Sequence, residues 1–223
     1  MAQPGHLFFL LIGLSCASYH VQVGAEVADH ATEYIQKMAD QLTDSMDLLA
    51  EETQKAKDGV HAAYEEVDAK AKEHTLDEVQ KALEEMSARQ CHPKHKRALR
   101  SLPDDVYDKL SDCLDFAQTV TNFQQIILGI TNSLGDADEI VCSALRNIGF
   151  CVDGNSTVAE IGCVTGSVID TAKEIKDKTI DVYESIKSIT SAAKEIGKTF
   201  EECFKSSKVQ LETKIKNVFE EHC

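Results

Sequence analysis

From Ile161 to Ile196 one stripe of side chains recurs in alternating steps of four and three: Ile161, Thr165, Val168, Ala172, Ile175, Thr179, Val182, Ile186, Ile189, Ala193 and Ile196. Such a 3.5-residue period is that of helices wound gently around a neighbour. The stripe is narrow and its members small. A helix carrying it gains too little from its own hydrogen bonds to persist alone in water, so the pattern demands a facing stripe. Thr157 with Glu160 forms a capping box at the expected start. Gly197 marks an expected stop, and Thr199 with Glu202 a second start, beyond which Phe200, Cys203, Phe204, Leu211, Ile215, Val218 and Phe219 continue.

A second amphipathic run opens at Glu26 and carries Ile35, Met38, Leu42, Met46, Leu49, Ala56, Val60, Ala63 and Val67 on one face. Acid-before-base pairs four apart, Glu33 with Lys37, Glu51 with Lys55 and Glu66 with Lys70, support it from the solvated side. Thr75 with Glu78 reads as a fresh capping box, so a break or kink is expected there, with Leu76, Val79, Leu83 and Met86 on a shifted face. A third run begins near Pro103, a residue suited to a first turn, with Asp104 and Asp105 at the positive end of the dipole. It extends through Val106, Leu110, Cys113, Ala117, Val120, Ile127 and Ile130 to about Asn132. A short helix from Asp136 to about Gly149 follows. No segment alternates apolar and polar residues like a strand. The predicted fold is therefore all-α: an elongated helical bundle or hairpin of long amphipathic helices.

The first 25 residues differ in kind. Leu7 to Leu14 form an apolar run too short to cross a bilayer but sized for a secretory signal, with cleavage expected after Ala17 or Ala25. Residues 26–90 then make an acidic, cysteine-free helical segment, and residues 91–102 a basic linker. Residues 103–223 complete a cysteine-bearing helical domain. Export implies an oxidising environment in which thiol pairs persist. Of the 8 cysteines, Cys16 leaves with the signal. Cys91, Cys113, Cys142, Cys151, Cys163, Cys203 and Cys223 remain, without the short spacing of a zinc site, and so are disulfide candidates that staple the C-terminal two-thirds. Their number is odd. Either one thiol stays free or one bridges to another chain as a homodimer; Cys223 is the easiest to offer, or it closes back on Cys203. Asn155, in Asn-Ser-Thr within a turn-rich stretch, is the one N-glycosylation acceptor.

A formal charge of −15 argues against nucleic acid and anionic membrane as partners. No transmembrane segment and no cofactor motif is expected. His30, His61 and His74 fall on a charged helix and read as solvated. Cys91, His92 and His95 could begin a metal site only with a further ligand, so no metal is assigned. Adjacent carboxylates such as Glu51 and Glu52 point to different sides of a helix, and no nucleophile, base and orienting group assemble; the chain reads as a non-enzyme. Gly162 and Gly166 are given no function. Arg97 and Arg100, ending Lys-His-Lys-Arg and Arg-Ala-Leu-Arg, fit sites cut by proprotein convertases in an exposed loop.

The signal segment, acidic helical chain, scattered odd cysteines and lone sequon resemble small secreted arthropod proteins. From Cys91 to Cys223 the style is similar to the insect 27 kDa hemolymph glycoproteins and to the cysteine-bearing domain of fly midgut proteins of the tsetse type. That resemblance implies an extracellular, helical, non-enzymatic protein. The leading expectation is a secreted binding or carrier protein for a small apolar ligand or a protein partner, with Ile175, Val182, Ile186 and Ile189 lining an apolar groove. The alternatives are an apolipoprotein-like binder that lays its first helix on lipid, and a self-associating structural or venom protein.

Overall fold

The computed structural model describes residues 26–91, 93–134, 137–152 and 157–222. Cys16, the expected cleavage sites, Asn155 and Cys223 lie outside them. The described residues form five α-helices: α1 Glu26–Ala88, α2 Pro93–Leu114, α3 Phe116–Leu134, α4 Ala137–Val152 and α5 Thr157–His222. No strand occurs among them. The fold is all-α, with α1 and α5 reaching 63 and 66 residues. None of the described helices is long and apolar enough to cross a membrane.

The chain divides into two compact units, the first running up to Glu51 and resuming over Gly129–Lys187, the second formed by Glu52–Leu128 and the chain from Ser188 onward. In the first, Ala31 and Ile35 of α1 pack with Ala144, Ile148 and Cys151 of α4 and Val164 of α5. In the second, Val79, Ala82 and Met86 of α1 pack with Leu99, Leu102 and Val106 of α2 and Leu211 of α5. Each stripe thus finds the facing stripe that its thinness requires. The cysteine-free helix contributes side chains to both cores.

Three local signals are overridden by packing. The capping box at Thr75 does not interrupt α1: Thr75 is itself buried in the stripe, at 2% exposure, while Leu76 is left 59% exposed. A cap forms only where the preceding chain leaves the helix, and the buried face on either side of Thr75 keeps it there. Gly197 likewise does not stop α5. The stripe continues through Phe200, Cys203, Ser207 and Leu211, and the Thr199 hydroxyl donates to the Glu195 carbonyl at 3.0 Å, as a threonine within a helix does. At its other end the stripe is displaced: Ile161 is 47% exposed and Val164 takes the buried place.

The third correction concerns the basic segment. The helix expected from Pro103 begins at Pro93, and Pro103 lies inside it. Proline has no N–H to offer the Leu99 carbonyl, so packing must hold this stretch. Leu99 and Leu102 supply that packing from within the second core, at 0% and 7% exposure. The expected single helix onward to Asn132 is split at Asp115, whose φ is 23°. Its Oδ1 accepts the Gln118 backbone N–H at 3.2 Å, capping α3.

The C-terminus of α1 closes as a Schellman motif. Gln90, with φ 57°, donates its N–H to the Ser87 carbonyl at 3.3 Å, and Cys91 donates to Met86 at 3.1 Å. Met86 and Cys91 then share the second core, which supplies the apolar contact that this motif favours.

Candidate functional site

Two disulfides join described cysteines: Cys113 with Cys203, 90 residues apart, in the second unit, and Cys151 with Cys163, 12 apart, in the first. Cys203 is therefore not closed by Cys223. Cys91 and Cys142 are also disulfide-bonded, and no described cysteine is free. Cys91 has no thiolate for a metal, and among the described residues no three His, Cys, Asp or Glu side chains converge on one point.

Beside the Cys151–Cys163 bridge, α4 and α5 enclose an open groove of about 410 Å³, within the range of small-molecule sites, roughly 300–1,000 Å³. Its α4 side is one helical face: Ile140, Ser143 with Ala144, Asn147, and Phe150 with Cys151. Its α5 side is likewise one face: Cys163, Ser167, Asp170 with Thr171, and Glu174. These spacings of three, four and seven bring successive turns to the same wall. Ser143, Ala144, Ser167 and Thr171 are short, and short side chains on facing helices leave volume unfilled. Ala144, Cys151 and Thr171 are buried and make the floor. Phe150, 70% exposed, stands on the rim with Asp170 and Glu174.

Ser167 adds a chemical demand. Its Oγ is buried and has no hydrogen-bond partner, a state that costs about 1–3 kcal/mol for a polar group removed from water.

Ile175, Val182 and Ile189, expected as groove lining, are core side chains at 1% exposure. Ile186 is half-buried, and none of the four lines this groove. Arg97 and Arg100 are exposed, but on helix α2 rather than in a loop. His30 and His61 are exposed as expected, His61 lying 3.5 Å from Glu65. His74 is half-buried rather than solvated: its ring meets Phe204 edge-on at 6.1 Å, and its Nε2 is buried without a partner. Gly162 and Gly166 face open space. The groove residues escaped sequence reasoning, although an exposed Phe150 next to a buried Cys151 and the paired short residues on α4 and α5 were its visible traces. The chain matches no protein-family model, no curated protein and no solved structure.

Proposed function

We propose that this is a secreted, non-enzymatic binding protein whose groove between α4 and α5 holds a small, partly apolar ligand. The carrying observation is the groove itself: a floor of Ala144, Cys151 and Thr171, an exposed phenylalanine at its edge and a buried hydroxyl with no partner in the protein. Apolar surface left in water and an unsatisfied polar atom are both relieved by a ligand with an apolar body and one hydrogen-bonding group. The non-enzymatic reading rests on the lining, in which the Ser143 and Ser167 hydroxyls have no imidazole beside them to act as base. The extracellular reading rests on the disulfides, since thiol pairs persist in oxidising compartments.

The test is a fluorescence titration with 1-aminoanthracene, an apolar probe that brightens on leaving water. Wild-type protein is expected to give a saturable rise, and Ser143→Trp, which places a large ring in the groove from an exposed position, is expected to abolish it. No rise in the wild type, or an equal rise in the variant, refutes the assignment.

A further inference from the structure

The groove's ionisable lining has one sign. Asp170 and Glu174 are its charged residues, one turn apart on the same face of α5 and both exposed at its edge. Among the described residues neither makes an ion pair, and Lys173, Lys176 and Lys178, the nearest cations on that helix, lie outside the lining, as does Arg146 on α4. The chain as a whole carries −15, so the surrounding field reinforces this local sign and repels an anion. Resting on the reading of the groove as a ligand site, we infer that its ligand is a small organic cation: a protonated amine on an aromatic or aliphatic body.

Each part of such a molecule has a counterpart. The apolar body covers Ile140 and Ala144. The ammonium lies between the two carboxylates, to which its N–H groups donate. An acid in place of the amine would meet two like charges and no donor stronger than a hydroxyl or the Asn147 amide. Because Asp170 and Glu174 are exposed, water screens them, and the preference they confer is modest.

Three probes with one body and different heads decide the matter: 1-naphthylmethylamine, 1-naphthalenemethanol and 1-naphthylacetate, each displacing 1-aminoanthracene from the full chain at neutral pH. The amine is expected to bind about tenfold more tightly than the alcohol, and the carboxylate more weakly than either. In Asp170→Asn/Glu174→Gln the amine is expected to fall to the level of the alcohol, whose affinity stays unchanged, so that a general loss of folding is distinguished. Added salt should erode the amine's advantage in the wild type alone. If the alcohol or the carboxylate binds as well as the amine, or the double variant keeps the preference, the charge inference is overturned while the groove stands. Absence of binding by all three, or binding that Ser143→Trp does not affect, overturns both.

Discussion

Leu99 separates the two descriptions of the basic segment. In a solvated linker, shortening it to alanine would change stability by no more than about 0.5 kcal/mol. In the structure Leu99 is fully buried among Met86, Leu102, Val106 and Leu211. Leu99→Ala removes three carbons, worth about 2.4 kcal/mol at roughly 0.8 kcal/mol each. The cavity left behind adds to this, and Met86, being unbranched, moves to fill part of it. The expected loss is about 3 kcal/mol, read as a lower urea midpoint at unchanged slope by far-ultraviolet circular dichroism. Trypsin gives an independent readout. A protease needs extended chain, so cleavage after Arg97 or Arg100 requires α2 to unwind, and 3 kcal/mol corresponds to an acceleration of roughly a hundredfold. A loss under 0.5 kcal/mol, with both arginines cut at once in the native wild type, would refute the packing of this segment into the second core.

Gln90 holds a left-handed conformation that glycine adopts freely, and its side chain is exposed, so Gln90→Gly should raise stability by about 1 kcal/mol; a lower midpoint would count against the motif. At Gly197 a Cβ would meet that of Ala63 at 3.8 Å, an ordinary contact, and Gly197→Ala should therefore stabilise α5 by about 0.5–1 kcal/mol in the same assay. A drop would mean that the two helices cannot yield there. The Lys70 ammonium, hydrogen-bonded to Glu66, holds that carboxyl below its ordinary value. The contribution of this pair is present above the unfolded-state pKa and is lost as pH falls through the lower folded-state one. Lys70→Met should move the Glu66 titration, followed by carboxyl NMR shifts, back upward; an unmoved curve would show that the pair does not form in solution.

Much of the architecture is legible locally. The Ile35 to Val67 stripe and the Ile175 to Ile189 repeat were readable because a helix presents every third and fourth residue to one side, so that a face is spelled in adjacent turns. The same locality misled at Thr75, Gly197 and Pro103. Each is a real terminus signal whose worth, about a kilocalorie per mole for a cap, is outweighed by several buried apolar side chains on the same stripe. The reversed outcome at Asp115 follows the same balance: its side chain caps α3 where the chain does turn out of the helix.

Residue order alone determined that this chain is helical, acidic and able to bury two long stripes, because helix bonds and helix faces are made by neighbours three and four apart. Tertiary structure alone decided that Cys113 meets Cys203 and Cys151 meets Cys163, that Leu99 is core, and that short side chains on α4 and α5 leave a groove. Those outcomes are distances between side chains on different helices. No periodicity within a single helix records how closely another will approach it, or what volume the two together will leave empty.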